Sequence, residues 1–142
     1  MLKITKGLKP YIEDGISTYT DAKGNQYVRV KEDDEDFCIA AHDLTKNGKD
    51  VYFNWDKAME MLKDKGLTTF TKEQAALYDK YHSEINHKLK EIGGEALRDE
   101  SYWTITEVDT KHACCFRGED DDNSIDDYPK NIHINVRPII NL

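Results

Sequence analysis

Cysteine is scarce in this sequence, and the few that occur are poorly placed for cross-linking. Of the three, Cys114 and Cys115 are adjacent, whereas Cys38 lies far away in the chain. An odd count with one adjacent pair makes a poor disulfide framework, and no C-x-x-C or Cys/His spacing typical of zinc sites occurs. Because neighbouring strand residues point to opposite faces, the adjacent pair is also unsuited to a dithiol site. We therefore expect reduced thiols.

Long apolar runs and an excess of basic charge are also missing. No stretch approaches the roughly 20 apolar residues that span a bilayer, and the first seven residues lack the apolar run of a signal peptide. The 20 Lys and Arg residues are outnumbered by 28 Asp and Glu residues, which gives a net charge of −8. Nucleic acids and anionic membranes are bound through clustered Lys and Arg. We therefore expect a soluble protein that neither inserts into a membrane nor binds nucleic acid. The sequence does not determine its cell compartment.

Short motifs of common enzymes are absent as well. No G-x-S-x-G, H-E-x-x-H or phosphate-binding loop occurs. The histidines are scattered at spacings that match no ligand pattern, which is typical of surface histidines. They are His42, His82, His87, His112 and His133. We predict that the protein is not an enzyme, with no catalytic residue and no cofactor.

Two acidic runs stand out, at residues 32–36 and 119–127. Clustered carboxylates can bind Ca²⁺, but the second run lacks the glycine and the terminal glutamate of an EF-hand loop. Acidic runs are more often simply solvated. We therefore predict two exposed loops and no metal site, while calcium binding stays open as an alternative.

Strand signals lie at both ends of the chain, which at 142 residues is long enough for one domain with one core. Residues 21–25 are typical of a hairpin turn. The β-type runs are residues 26–31, 37–41, 102–106, 112–117 and 132–139. In the last run apolar and polar residues alternate, which predicts one apolar and one polar face.

Helix signals lie in the middle. Asn54 is a good N-cap for a first helix, and Thr71 followed by Gln74 forms a capping box for a second. Ser83 is predicted to cap a third, short helix that ends before Gly93. Strands, then helices, then strands indicate an α+β domain.

Several separated motifs occur in an order found in a known family. They are N-W-D-K-A-M at residues 54–59, T-F-T-K-E-Q at 69–74, I-G-G at 92–94, Y-W-T-I-T-E at 102–107, the single residues Ala113, Phe116, Gly118 and Lys130, and V-R-P at 136–138. Together they resemble the C-type-lectin-like domains related to the collagen-like adhesin C-terminal domain. The resemblance is strongest over residues 40–140.

This resemblance implies a single C-type-lectin-like domain over residues 1–142, with a small twisted antiparallel sheet, two main helices and a short third. Relatives of the family include surface adhesins and the variable proteins of diversity-generating retroelements, in which residues between the Y-W and V-R-P motifs are altered to change the ligand. A more distant branch with the same fold is the formylglycine-generating enzyme. For this chain the resemblance implies a non-enzymatic recognition domain.

Polar residues between the Tyr102-Trp103 and Val136-Arg137-Pro138 motifs are the candidate ligand contacts. We expect them to point outward from strands or to lie in loops on a rigid scaffold. They are Thr104, Thr106, Asp109, Lys111, His112, Arg117, Asp120, Asp122, Asn123, His133 and Asn135. We predict that they bind a protein or glycan ligand. The alternative is a structural component of a phage particle or bacterial surface appendage, which packs with copies of itself as a homo-oligomer.

Other residues of the motifs are predicted to be framework. Trp103 in a β-run and Trp55 on the apolar face of the first helix are expected to be buried. Arg137, flanked by Val136 and Pro138, is expected to pair with a carboxylate.

Overall fold

Strands at both ends enclose a helical middle in the computed structural model, which describes residues 13–118 and 125–142. The elements of these residues are β1 (Gly15–Thr20), β2 (Gln26–Glu32), β3 (Glu35–Ala40), α1 (Trp55–Asp64), α2 (Lys72–Lys80), α3 (His82–Glu91), β4 (Ser101–Glu107), β5 (His112–Arg117), β6 (Ile125–Pro129) and β7 (Ile139–Asn141). The predicted α+β class is confirmed. Strands β1 and β6 were not predicted.

The described strands form two antiparallel sheets, in the orders β1-β2-β3-β7 and β4-β5-β6. The predicted turn at residues 21–25 joins β1 to β2. Its Asp21 carboxylate accepts hydrogen bonds from the backbone N–H groups of Lys23 and Asn25, each at 2.9 Å. Gly24 has a φ of +88°, a conformation that costs glycine little. The hairpin prediction is therefore confirmed.

The first acidic run is mostly strand, which corrects the prediction of a solvated loop over residues 32–36. Glu32 and Glu35 pair in register, so only residues 33 and 34 form the turn. Asp36 accepts two hydrogen bonds from Arg29 on the neighbouring strand, from Nε at 2.8 Å and from Nη2 at 2.6 Å. This two-point ion pair offsets the charge repulsion that would otherwise oppose pairing.

Side-chain caps begin the first two helices, as predicted. The Asn54 side chain accepts a hydrogen bond from the Lys57 backbone N–H at 2.8 Å. Thr71 Oγ1 accepts from the Gln74 N–H at 3.1 Å, and Gln74 Oε1 accepts from the Thr71 N–H at 3.0 Å. These reciprocal bonds satisfy backbone donors that the first turn leaves free.

The third helix differs from its prediction. It begins at His82, so Ser83 lies inside it, and it has 10 residues, as many as α1. Tyr81 is at once the C-cap of α2 and the N-cap of α3. Because the chain passes almost directly from one helix into the next, no side-chain cap separates them.

The two faces of strand β4 contribute to two hydrophobic clusters. Successive residues of a strand point to opposite faces, so Tyr102 enters the first cluster and Trp103 the second. On β5, Phe116 likewise enters the first cluster and Cys115 the second. The first cluster contains β2, β3, α2 and α3 residues, among them Val28, Phe37, Tyr78 and Leu89, and the second contains Leu44, Phe53, Ala58, Leu62, Ala113 and Val136. Both faces of this part of the second sheet are therefore covered.

The tryptophans occupy different environments. Trp103 is fully buried, and its Nε1 donates to the Phe53 carbonyl at 2.8 Å. Trp55 is half-buried; its Nε1 donates to the Thr104 carbonyl at 2.8 Å, and Lys130 Nζ lies 4.3 Å from its ring centroid. Predicted burial is confirmed for Trp103 and only in part for Trp55.

Two motif glycines allow close approach of the backbone. A Cβ atom at Gly118 would lie 2.3 Å from the Arg98 carbonyl oxygen, and one at Gly94 would lie 2.5 Å from that of Ala41. Both distances are shorter than a van der Waals contact. Any other residue would push Gly118 away from Arg98, or Gly94 away from Ala41.

The C-terminal segment, residues 130–141, joins the two sheets and corrects the prediction of a strand over residues 132–139. Only Ile139–Asn141 is a strand, and residues 134 and 135 form isolated bridges with Phe53 and Tyr102. The expected apolar and polar faces are also wrong, since Ile132 is 39% exposed whereas Asn135 is 1% exposed. Residues 134–137 have neighbours on both sides, so Asn135 and Arg137 are buried together with Ile134 and Val136.

Arg137, at the middle of this segment, is fully buried and pairs with a carboxylate, as predicted. Its Nε donates to Asp43 Oδ1 at 2.7 Å, and Tyr102 donates to Asp43 Oδ2 at 3.0 Å. Three of the four other guanidinium N–H groups bond to the carbonyls of Ala40 at 2.9 Å, Glu95 at 2.8 Å and Ala96 at 3.3 Å. A buried charge is tolerated only with such extensive pairing.

Replacing Asp43 by Asn should lower the free energy of unfolding by about 3–5 kcal/mol, because it leaves the buried Arg137 charge without its partner. Urea denaturation measures this loss. The control is Asp14→Asn, which removes an exposed pair with Lys31 at 3.3 Å and should cost less than about 1 kcal/mol. Equal losses in the two variants would contradict the structural role of the buried pair.

Candidate functional site

The predicted contact residues divide into exposed and buried groups. Thr104 and Asn135 are buried, which corrects the expectation that they point outward. Thr104 Oγ1 donates to the Cys114 carbonyl at 2.8 Å, because β4 is covered on both faces. Thr106 is half-buried, and its Oγ1 accepts a hydrogen bond from the Lys72 N–H at 3.0 Å at the start of α2. Asp120, Asp122 and Asn123 lie outside the described residues.

The remaining predicted contacts lie around two grooves. The first, which we call the His112 groove, has a volume of about 490 Å³ and lies at the starts of α1 and β5. Its lining residues are Asn54, Asp56, Thr110, Lys111, His112, Pro129, Lys130 and Asn131. It thus contains Lys111 and His112 from the predicted set.

Asp109 holds the His112 ring in place. Its Oδ1 accepts hydrogen bonds from the Lys111 and His112 N–H groups, both at 2.8 Å, and lies 3.0 Å from His112 Nδ1. The hydrogen bond from the His112 side chain, with those from the backbone, lowers the pKa of Asp109. The ring therefore donates from Nδ1 and leaves Nε2 for another partner.

The second groove, which we call the His133 groove, has a volume of about 460 Å³. Its lining residues are Tyr52, Asp99, Glu100, Ser101, Arg117, Tyr128, His133, Ile134 and Asn135. It brings together Arg117, His133 and Asn135 from the predicted set. Sequence reasoning missed Tyr52, Glu100 and Tyr128.

Polar contacts fix the side chains of the His133 groove. Tyr52 donates to Glu100 Oε2 at 3.1 Å, and Asn135 Nδ2 donates to Glu100 Oε1 at 3.2 Å. Arg117 donates from Nε to Asp99 Oδ1 and from Nη2 to the Asp99 carbonyl, both at 3.0 Å. No local spacing could have revealed the first contact, because Tyr52 and Glu100 are separated by 48 positions in sequence.

A smaller depression of about 320 Å³ connects the two grooves. It shares Asn54 with the His112 groove, and it shares Tyr52 and His133 with the His133 groove. The three neighbouring depressions together are what we call the groove band. Lys111, His112, Arg117 and His133 of the predicted set lie along it.

The thiols are unsuited to nucleophilic chemistry. Cys38, Cys114 and Cys115 are free and buried. Burial raises the pKa of Cys38 and that of Cys115 to about 12. Since the thiolate is the reactive form, these side chains stay unreactive at neutral pH.

Comparison with family models, with curated proteins and with solved structures found no match to this chain. The resemblance to C-type-lectin-like domains therefore stays a prediction, as does the recognition role that it implies. Within residues 13–118 and 125–142, no three His, Cys, Asp or Glu side chains come together as a metal site. None of the helices in those ranges has the length and apolar character to cross a membrane.

Iodoacetamide should modify none of the three cysteines in the native protein within minutes at pH 7.5, and all three once the chain is unfolded in guanidinium chloride. The reason is that burial keeps the sulfur atoms inaccessible and protonated. Mass spectrometry of intact protein counts the adducts. Rapid native labelling of Cys115, which lies on the strand between the grooves, would contradict this arrangement.

His112→Ala should raise the pKa of Asp109 toward the ordinary aspartate value, because it removes the largest cause of the lowered pKa. A carboxylate with a lowered pKa stabilises the folded state above its unfolded pKa of about 3.9, and this contribution is lost as the pH falls through the lower folded pKa. Side-chain carboxyl ¹³C NMR between pH 2 and 6 measures the titration. An unchanged midpoint in the variant would show that the two side chains do not interact.

Proposed function

We propose that this chain is a non-enzymatic recognition domain that binds a protein or glycan ligand through the groove band. The observation that carries the proposal is that neighbouring depressions of the band share lining residues. The band joins predicted contacts from β5 and from the C-terminal segment to Tyr52, an exposed aromatic residue before α1. Side chains from three distant parts of the chain thus line one surface.

The chemistry of the band supports recognition. Tyr52 is 45% exposed, and tyrosine offers an apolar ring with a polar tip, which suits contact with sugars and with protein side chains. Glu100, Arg117 and His112 are each held by a neighbouring side chain. Side chains that are ordered in advance lose little conformational entropy on binding, so more of the contact energy contributes to affinity.

The predicted C-type-lectin-like fold is part of this proposal, because it places the ligand surface between the Y-W and V-R-P motifs. The groove band includes residues from this stretch and extends to the segment that precedes α1. We assign no catalytic role to the band, and burial raises the pKa of the Cys115 thiol on the strand between the two grooves.

Assembly with copies of the same chain is the second candidate. Among the described strands, β1 and β6 each pair on one side only, as edge strands do. Edge strands can add a strand from another chain. Light scattering across a range of protein concentrations decides between the candidates: a stable oligomer that survives Tyr52→Ala favours assembly.

Changing both Tyr52 and His133 to Ala should weaken ligand binding at least about tenfold, which corresponds to a loss of about 1.4 kcal/mol. Both side chains are exposed, so the melting temperature should hardly change. A glycan array and a displayed peptide library identify binders of the unaltered protein, and calorimetry on the best binder measures the change.

The matched control for this experiment is the double change Ser83→Ala and Lys90→Ala. Both residues are exposed on α3 and line none of the three depressions of the band. The proposal fails if neither library gives a binder, or if the groove and control variants bind equally well.

A further inference from the structure

One oxygen atom at the His133 groove lacks a hydrogen-bond donor. Asn135 is 1% exposed, and its Nδ2 donates to Glu100 Oε1 and to the Ser101 carbonyl, both at 3.2 Å. Among residues 13–118 and 125–142, its Oδ1 is the buried side-chain atom without a partner. Rotating the amide by half a turn would set Oδ1 against two acceptors, so this orientation is fixed. Because buried polar atoms are nearly always bonded, we expect this acceptor to take a hydrogen bond from a water molecule or from a ligand in the groove.

The carboxylate next to this oxygen carries a charge that its neighbours compensate incompletely. Glu100 is bonded by two neutral donors, the Tyr52 hydroxyl and the Asn135 amide. The nearest guanidinium atom in an ion pair with it, Arg98 Nη1, lies 3.9 Å from Oε1. By comparison, Asp99 lies 3.0 Å from Arg117 Nε. The Glu100 side chain is 42% exposed, so a second cation can reach it.

The electrostatic field at Arg98, which lies beside Glu100, favours positive charge. Partial burial lowers the pKa of Arg98, yet the negative charges nearby, of which Asp43 is the strongest and Glu100 a weaker one, raise it overall. The chain also has a net charge of −8, which draws basic partners toward it from a distance.

Two aromatic rings line the same groove. Tyr52 is 45% exposed, and Tyr128 is half-buried with part of its surface packed on the second hydrophobic cluster. The faces of aromatic rings attract cations, and they also pack against the methylene groups of long basic side chains.

We propose that the His133 groove binds a Lys or Arg side chain of a protein partner, with the cationic group between Glu100 and Asn135 Oδ1 and the aliphatic stem against Tyr52. This proposal rests on the proposed function and names the class of ligand. A Lys or Arg side chain only donates hydrogen bonds, whereas the Glu100 carboxylate and Asn135 Oδ1 only accept them. A sugar hydroxyl both donates and accepts hydrogen bonds. Arg117 lines this groove, but its Nε and Nη2 already donate to Asp99, so the groove suits a group that only donates better than it suits a sugar.

The test is an ¹⁵N–¹H NMR titration of the whole chain with capped tripeptides. The probes are Gly-Lys-Gly and Gly-Arg-Gly, with Gly-norleucine-Gly as the uncharged match for the lysine stem and the methyl glycosides of galactose and mannose as sugar probes. We expect saturable shifts at Tyr52, Glu100 and Asn135 with the two basic peptides. Affinity for norleucine peptide should be at least about tenfold weaker, because a charge-assisted hydrogen bond is lost.

A conservative variant separates specific binding from general attraction to an acidic protein. Glu100→Gln keeps the shape of the side chain but removes the charge: its single oxygen can accept from Asn135 Nδ2, and its amide N–H can donate to the Tyr52 hydroxyl oxygen. The change should weaken lysine peptide binding about tenfold. Glu91→Gln is the control: it makes the same charge change at an exposed site on α3 with a side chain 51% exposed. Its binding should stay within about twofold of the unaltered chain, as expected for a distant exposed charge.

Several results would overturn the inference. These are equal shifts with norleucine peptide, equal losses in the two glutamate variants, or no shift at the groove with either basic peptide. Shifts at the groove with a glycoside alone would overturn it as well, but would leave the recognition role intact. The recognition role is tested independently: it is contradicted if the glycan array and the peptide library yield no binder.

Discussion

The ion pair between Arg137 and Asp43 is the contact on which the rest of this structure depends. Asp43 follows β3, and the guanidinium also bonds to carbonyls at the end of β3 and in the connection between α3 and β4. Tyr102 on β4 donates to the same carboxylate. One buried cation therefore links the first sheet, the second sheet and the C-terminal segment. Since an unpaired charge in this position would be very costly, the chain has little freedom in how these parts are arranged.

This constraint also positions the candidate site. Asn135 lies two residues before Arg137, and its backbone bridges to Tyr102, so its amide is held beside Ser101 and Glu100. His133 precedes it by two more positions and reaches the surface, where it meets Tyr52 in the groove band. The proposed recognition surface thus depends on buried contacts a few residues away, which order the side chains of the groove in advance.

Features that depend on neighbouring residues could be predicted from sequence. The hairpin turn at Asp21, the Asn54 cap and the Thr71 capping box are confirmed, because each is made by side chains within four positions of the backbone that they bond. Strand β6 was missed, because Asp126 and Asp127 give it the composition of a solvated loop. In the folded chain it pairs with β5, which supplies the backbone hydrogen bonds that its side chains do not signal. Thr104 was expected at the surface because a pattern of alternating residues predicts one open strand face, whereas both faces of β4 are covered. Asn135 was expected there because residues 132–139 were predicted as a strand, whereas Asn135 lies in an isolated bridge with Tyr102 and is buried.

By itself, the sequence determined the α+β class, the buried state of Trp103 and the pairing of Arg137 with a carboxylate. These follow from local hydrogen bonding and from the cost of burying an aromatic ring or a charge in the wrong surroundings. Only the tertiary structure decided which polar residues reach solvent and which meet in a groove. Tyr52, Glu100 and Asn135 are far apart in the chain, and their contact arises because the C-terminal segment lies between the two sheets. No local pattern encodes that arrangement, since it results from the packing of the whole domain.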